Sequence, residues 1–274
     1  MRLFKNLDLF LLFPVTVIFV LGLTILLSIA PELAKTQFLF GLLGLLVIVA
    51  VSQIDYRIYP KFSGVFFIFS LVILIMTFAV GEVTRGSVRW IDFGFIRLQP
   101  SEIIKPLMLV FAAIPYLKAK LDFKYFLLFS ALYFIPVVFI LKQPDLGSSL
   151  VYVMVWFGLL FVSGFKPLLT PAIGFLLLGL APVFWNFLKD YQKERLISFI
   201  NPGNDPLGIG YNVILAMVGV GAGSMFGRGV GRGTQSHLQF LPEYHTDFIF
   251  ASFSEELGFI SVFILMFMYL ILVL

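Results

Sequence analysis

The run Leu238-Gln239-Phe240-Leu241-Pro242-Glu243-Tyr244-His245-Thr246-Asp247-Phe248-Ile249-Phe250 sets an acid, an imidazole and a second acid within five residues, then passes directly into a long apolar stretch that reaches Leu274. A charged residue at the mouth of a membrane helix is costly, and residues kept there at that cost mark functional positions. The run therefore points to a membrane protein and, within it, to the place where chemistry is sought first. A polar cluster that only ends a helix at the interface is the competing reading of the same residues.

Composition agrees with the membrane reading. The 274 residues are 60% hydrophobic and only 12% charged, and the mean hydropathy is +1.04; soluble domains carry about 25% charged residues. With no cysteine in the chain, disulfides are excluded. The net charge of +4 is spread along the sequence and forms no basic stripe on a soluble domain, so no nucleic-acid partner is expected. Near the N-terminus, the charge-free run Leu9 to Ala30 exceeds the roughly 7–15 residues of a signal-peptide apolar region, and Pro31 falls where cleavage would occur. It reads as a retained first helix.

Charge-free windows long enough for a hydrocarbon core of ~30 Å run over Leu9–Ala30, Thr36–Ile54, Phe62–Gly81, Tyr125–Leu141, Leu146–Phe165 and Pro167–Leu188. A further helix is expected from near Ser101 to Leu117, with Glu102 and Lys105 in its first turns, and the eighth from about Phe248 to Leu274. The fold class is all-α: a polytopic transmembrane helix bundle of about eight helices, one domain over residues 1–274, with no internal repeat. Between Pro206 and Gly227 six glycines interrupt another charge-free run. Glycine weakens a helix by about 1 kcal/mol per residue, so this run is expected to be a re-entrant or interfacial segment within a long extracytoplasmic loop. A plain spanning helix is the alternative, and it would invert the side on which Asp247 lies.

If loops alternate sides, Arg2, Lys5, Arg57, Lys61, Lys118, Lys120, Lys124 and Lys166 share one face, assigned to the cytoplasm by the positive-inside rule. The opposite face carries as many basic residues: Arg85, Arg89, Arg97, Lys189, Lys193, Arg195, Arg228 and Arg232. The count alone does not decide orientation, but basic residues kept on an outer face suit an anionic ligand there.

Gly227-Arg228-Gly229-Val230-Gly231-Arg232-Gly233-Thr234 fails both the G-x-x-x-x-G-K-[ST] and the G-x-G-x-x-G patterns. What it offers is backbone N–H groups, expected to be exposed, beside two guanidinium groups that suit a pyrophosphate. Glu102 and Lys105 share a helical face and can pair, inward-facing in a membrane helix. Trp90 reads as an interfacial tryptophan, and Asp145 reads as a helix N-cap, which explains the Pro-Asp-Leu-Gly spelling well, or as a second functional acid ranked below Asp247. Glu255 and Glu256 lie ~12 Å beyond Asp247 on a helix and about 100° apart, so one is expected to be buried for function while the other pairs. Glu243, His245 and Asp247 are candidate ligands for Mg²⁺ or Mn²⁺, although their spacing is not diagnostic.

Three blocks in order, Arg97-Leu98-Gln99-Pro100-Ser101-Glu102, Lys142-Gln143-Pro144-Asp145-Leu146-Gly147 and the His245-Thr246-Asp247 run, resemble the SEDS family (the RodA, FtsW and SpoVE group, and most of all RodA), membrane glycosyltransferases that polymerise peptidoglycan from lipid II. The resemblance implies Asp247 as the catalytic acid. It implies substrate-binding roles for Trp90, Arg97, Glu102, Lys105, Asp145, Arg228, Arg232, Glu243 and His245, with Glu102 and Lys105 in a central cavity. It also implies a divalent cation with ligands unspecified, a class B penicillin-binding protein as transpeptidase partner, and a bacterial plasma-membrane location among membrane lipids. A role in cell-wall elongation or division and in cell shape follows from it, whereas the cytoplasmic N-terminus and extracytoplasmic active site are expected from the alternation of loops, provided Pro206–Gly227 does not span. Leu215-Ala216 stand where the family commonly has Gln-Ser, and the chain is expected to lack the last two of about ten family helices. The rival readings from other classes are a lipid II flippase, which needs no general base, and a non-catalytic scaffold of the elongation or division machinery.

Overall fold

A computed structural model describes residues 7–84, 87–94, 97–117, 123–162, 169–206, 208, 210–238 and 240–274. Arg2, Lys5, Arg85, Lys118, Lys120 and Lys166, used above for orientation, lie outside the described residues. The chain divides into two compact units, residues 55–182 on one hand and residues 1–54 with 183–274 on the other.

The first of these units opens on a 3₁₀ turn, Tyr56–Ile58, whose N-cap Asp55 accepts from the Arg57 N–H. This turn leads into α3 (Tyr59–Val80). A three-stranded antiparallel sheet follows: β1 (Glu82–Thr84), β2 (Ser87–Asp92) and β3 (Arg97–Leu98), with Glu82 opposite Trp90 and Asp92 opposite Arg97. The sequence read this segment as loop; strands of two to six residues are too short to declare an alternation. Pro100 then opens α4 (Pro100–Ala113), where its missing N–H costs nothing, and the last turn tightens to 3₁₀ over Ile114–Leu117. Helices α5 (Phe123–Lys142) and α6 (Leu146–Val162) complete the unit. Its core joins Leu74, Ile104, Met108, Phe111, Tyr133, Val137, Ile140 and Tyr152. Two buried phenols find acceptors: Tyr133 donates to the Tyr152 carbonyl at 2.9 Å and Tyr152 to the Ser101 carbonyl at 2.7 Å.

Helix α7 (Leu169–Phe187) contains the division between the units, beside Pro182. The second unit begins with α1 (Leu9–Ile29), capped by the Asp8 carboxylate on the Phe10 N–H, and α2 (Pro31–Ser52). Only Ala30 separates them, because Pro31 both disfavours continuation of α1 and pre-sets the first turn of α2. Beyond α7 come α8 (Asp190–Ile200), a 3₁₀ turn (Pro202–Asn204), α9 (Gly210–Ala222), the single turn α10 (Thr234–His237) and α11 (Ile249–Val273). Ile25, Ile29 and Phe253 form its buried apolar cluster, with Leu21, Tyr244, Ile249, Leu257, Val262 and Leu265 against it.

Over its described residues each of the eight expected spans is helical, residues 163–168 of two of them lying outside the described residues, and among the described residues five segments are long and apolar enough to cross a membrane: Leu9–Ile29, Pro31–Ser52, Tyr56–Val80, Phe123–Lys142 and Ile249–Val273. Several start earlier than the charge-free windows, since Glu32, Lys35 and Lys61 sit in first turns. Helix α9, 13 residues long, reaches about 20 Å, short of a ~30 Å hydrocarbon core. It is helical despite its glycines, and its length agrees with a re-entrant or interfacial segment.

Candidate active site

Asp247 lies in the turn that precedes α11, exposed, one residue before the N-cap Phe248. Its carboxylate makes no hydrogen bond or ion pair among the described residues, whereas its neighbours are engaged. Glu243 adopts a left-handed conformation (φ 52°). From there its carbonyl accepts the N–H groups of Thr246 and Phe248 at 3.1 and 3.2 Å, and its carboxylate accepts the Thr246 hydroxyl at 3.2 Å. His245 sets its ring edge-on to Tyr244, centroids 5.1 Å apart, with Nδ1 buried and unpartnered. The turn is thus built by Glu243 and leaves Asp247 free to meet a ligand. No three His, Asp or Glu side chains among the described residues assemble as a metal site. A protein-only cage from Glu243, His245 and Asp247 is not assembled; a hard cation here would complete its shell with water or substrate oxygens.

Helix α11 is not continuous. Gly258 has φ 76° and ψ −178°, which divides the element into Ile249–Leu257 and a second half from Phe259. In a continuous helix the Phe259 and Ile260 amides would meet the Glu255 and Glu256 carbonyls. Here they donate instead to the Ser224 and Met225 carbonyls at 2.9 and 3.2 Å, while the vacated carbonyls of Glu255 and Glu256 accept the Arg228 and Gly229 amides at 2.9 and 3.0 Å. The glycine-rich loop is the partner in this exchange. Gly227, Gly229 and Gly231 all have positive φ, between 79° and 99°, and Gly223, Gly227 and Gly258 sit where a Cβ would strike the facing main chain.

This corrects the expectation of an open amide cradle. The N–H groups of Gly227, Arg228, Gly229 and Arg232 go to main-chain carbonyls, and that of Gly231 to the Ser28 hydroxyl at 3.0 Å. Helix ends leave orphan groups, and the broken helix recruits the loop's donors to satisfy its own. Of the two guanidinium groups, Arg228 is used within the protein: Nη1 donates to Thr234 Oγ1 at 3.0 Å and lies 3.9 Å from Glu255 Oε1. Arg232 is exposed and its guanidinium makes no hydrogen bond among the described residues, so its N–H donors are the freer to meet an anion.

Glu255 and Glu256 also depart from expectation. Both are fully buried and both are bound. Glu255 accepts the Thr234 N–H and hydroxyl at 2.9 Å each and the Gln235 N–H at 3.1 Å, at the start of α10. Glu256 Oε1 accepts the Ser28 hydroxyl at 2.9 Å and lies 2.9 Å from His237 Nε2. Side chains 100° apart are both covered because α10 folds over one and α1 over the other. Ser28 and His237 went unnoticed in the sequence; a lone serine in an apolar helix and a histidine outside the His-Thr-Asp run carry no signal of their own.

In the unit of residues 55–182, Glu102 and Lys105 pair as their spacing dictates, Lys105 Nζ lying 2.7 Å from both carboxylate oxygens. Lys105 is the more covered partner, and Glu102 stays about half-exposed. Arg97 is drawn to Asp92, Nε to Oδ2 at 2.6 Å. That hydrogen bond, with a second from the Gly94 N–H, holds the Asp92 carboxyl below its ordinary pKa. A depressed acid stabilises the fold above the usual carboxylate range and loses that contribution as pH falls through the lowered value. Asp145 is buried and caps α6: Oδ1 accepts the Ser148 N–H at 3.0 Å, and Oδ2 accepts the Ser148 hydroxyl and the Gln99 amide at 2.8 Å each. Arg89, on β2, donates to the Gln143 and Pro144 carbonyls in the α5–α6 turn at 3.1 and 2.9 Å. Next to it Trp90 remains 37% exposed.

Residues 2–274 match the family model for FtsW, RodA and SpoVE, described as cell cycle protein. The chain is 36% identical over 240 residues to the peptidoglycan glycosyltransferase MrdB of Escherichia coli strain K12, covering 84% of this chain and 63% of that protein. It thus spans less than two thirds of that relative. Among solved structures, a peptidoglycan synthase complex, studied for how polymerization and crosslinking are coordinated, superposes with a TM-score of 0.74 at 30% identity over 97% of this chain and 75% of that one. A mutant of the rod shape determining protein RodA of Thermus thermophilus superposes with a TM-score of 0.65 at 25% identity, over 97% and 72% of the two chains.

Proposed function

Because the chain belongs to the FtsW, RodA and SpoVE family of cell cycle proteins, we propose that it carries the catalytic residues of a peptidoglycan glycosyltransferase acting on lipid II. The observation that carries this reading is the exposed, unpartnered Asp247 carboxylate at the start of α11. An acid needs a free oxygen to take a proton, and a positioned carboxylate can act as general base once within hydrogen-bond reach. An acceptor sugar hydroxyl gives its proton to Asp247 and attacks the anomeric carbon of the donor. The new glycosidic C–O bond forms as the bond to undecaprenyl pyrophosphate breaks, and the leaving group takes the electron pair.

Negative charge grows on that pyrophosphate, and preorganised cations stabilise such charge best in a site that excludes water. Arg232 is suited to this by its free guanidinium, and Arg228 by its place beside it on the loop. A bound Mg²⁺ or Mn²⁺ would add Lewis-acid stabilisation of the pyrophosphate, and a carboxylate of the turn before α11, such as Glu243, would hold it. Trp90, Arg97 and the Glu102–Lys105 pair are assigned to substrate binding. Asp145, being fully engaged as a cap, acts through the α6 terminus. The partner is a class B penicillin-binding protein, supported by the similarity to a solved synthase complex.

The test is polymerisation of purified lipid II by the intact protein with its transpeptidase partner, read as glycan chain length. Polymer is the expected product; translocation across vesicles with no polymer would transfer the reading to a flippase.

Orientation in the bacterial plasma membrane is part of the proposal, with the N-terminus cytoplasmic and Asp247 outside. The chain has no cysteine, so single substitutions report cleanly. An impermeant thiol reagent is expected to label Val230→Cys in intact cells and Arg57→Cys only after permeabilisation, both positions being exposed. The opposite pattern would invert the topology.

A further inference from the structure

Glu255 and Glu256 have no part in the chemistry just described, yet both are fully buried. A buried carboxylate is retained only when donors compensate it, and removing one partner is far more costly than the pair is worth. Ser28, His237 and Glu256 are the residue types of a hydrolytic triad, but the geometry excludes one. His237 Nε2 faces both Ser28 Oγ, at 3.3 Å, and Glu256 Oε1, at 2.9 Å, whereas a relay needs the two ring nitrogens on opposite partners. What the arrangement does is hold parts together. Glu255 receives the first amides of α10, Glu256 reaches α1 through Ser28, and Ser28 in turn accepts the Gly231 amide. The main-chain carbonyls of the same two glutamates accept Arg228 and Gly229.

We infer that Glu255 and Glu256 are positioning residues, locking the loop that bears Arg228 and Arg232 onto the short helix 249–257, which the Asp247 turn precedes. Glu255 and Glu256 stand six and seven residues past the first residue of this helix, ~9–10.5 Å along its axis, and Asp247 lies in the turn that leads into it, so the lock sets base and cations relative to each other. The lock is unequal. Glu255 is saturated with donors, while Glu256 Oε2 is buried without a partner, so the Ser28–Glu256–His237 side is the one a single substitution releases. The functional consequence rests on the glycosyltransferase reading; the lock itself does not.

The experiment uses the intact protein with two readouts. One is kcat and KM for lipid II polymerisation. The other is the distance distribution between spin labels at Val230→Cys and Phe250→Cys, both exposed positions. Glu256→Ala is expected to lower kcat by ~100-fold, the effect of an error near 1 Å in a catalytic geometry, with KM unchanged and the distances broadened. Glu256→Gln keeps an acceptor oxygen for Ser28 and His237 and is expected to stay near wild type in both. Wild-type kcat in Glu256→Ala overturns the inference. So does a low kcat with a sharp distance distribution, which would mean a direct chemical role. If Glu256→Ala does not fold, Ser28→Ala decides. It removes the hydroxyl between Glu256 and Gly231 and is expected to give a smaller fall in kcat with the same broadening; wild-type values in both readouts overturn the lock. Should the unsubstituted protein not polymerise lipid II, the glycosyltransferase reading fails, and the distance readout still decides the lock.

Discussion

Replacing Asp247 with Asn is expected to lower lipid II polymerisation by ~10²–10⁴-fold, the usual cost of losing a general base, without unfolding the protein. Asn has the size of Asp but takes no proton at neutral pH. Structural damage is expected to be slight, because the side chain is exposed and neither caps α11 nor pairs with a described residue. The only loss to the fold is a favourable charge near a helix N-terminus, about 0.3–1 kcal/mol. Glycan synthesis and the melting temperature, measured on the same preparation, separate the two effects. Near wild-type synthesis by Asp247→Asn would remove the base assignment. A large fall in melting temperature would mean that the acid serves the fold.

The largest expected effect on stability belongs to Gly258→Ala. With φ 76° and ψ −178°, Gly258 occupies a region open essentially to glycine alone, where any other residue costs about 1–3 kcal/mol. A Cβ there also meets the Gly227 nitrogen, the Phe226 carbonyl carbon and the Met225 oxygen. These are main-chain atoms fixed by their own hydrogen bonds, so they cannot rotate aside as a side-chain tip would. The combined cost is expected to exceed ~3 kcal/mol, seen as a clear fall in melting temperature and loss of activity. Gly44→Ala, in α2 with nothing within 4 Å of the added methyl, is the control and is expected to match or slightly exceed wild type. Equal melting temperatures for Gly258→Ala and Gly44→Ala would show that α11 runs unbroken.

The helices were legible in the sequence because length and charge-free runs report membrane burial directly. Their first turns were not, since Glu32, Lys35 and Lys61 lie on helices that begin before the charge-free windows. Strands β1–β3 escaped because each is too short to alternate. The acid at the mouth of α11, the Glu102–Lys105 pair and the boundary acid Asp145 could all be located by position and spacing. What the sequence could not convey was the division of α11. A glycine in an apolar run reads as a slight weakening of a helix; only the facing glycine-rich loop turns Gly258 into a break. The same blind spot reversed the expectation of open amides in that loop, because it depends on which carbonyls the break leaves unpaired; the burial of both glutamates was hidden because α10 and α1 fold over them. Arg228 shows the limit most plainly. Its charge was evident, but its engagement by Thr234 and Glu255 is a tertiary fact.

The exchange of hydrogen bonds at Gly258 also determines how load passes through the protein. In an unbroken helix, tilt of the apolar half from Phe259 to Val273 would be carried along the axis straight into the turn that holds Asp247. Here the first two amides of that half hang from the Ser224 and Met225 carbonyls, just past the end of α9. Strain imposed on the membrane-embedded half, by a thicker bilayer for example, is therefore divided among the Gly258 backbone, the Ser261 hydroxyl held on the Leu257 carbonyl at 3.0 Å and the Ser224–Met225 carbonyls past α9. The break behaves as a splinted joint: part of the force is routed sideways into the segment past α9, and the axial path toward the acid loses two of its amide–carbonyl links.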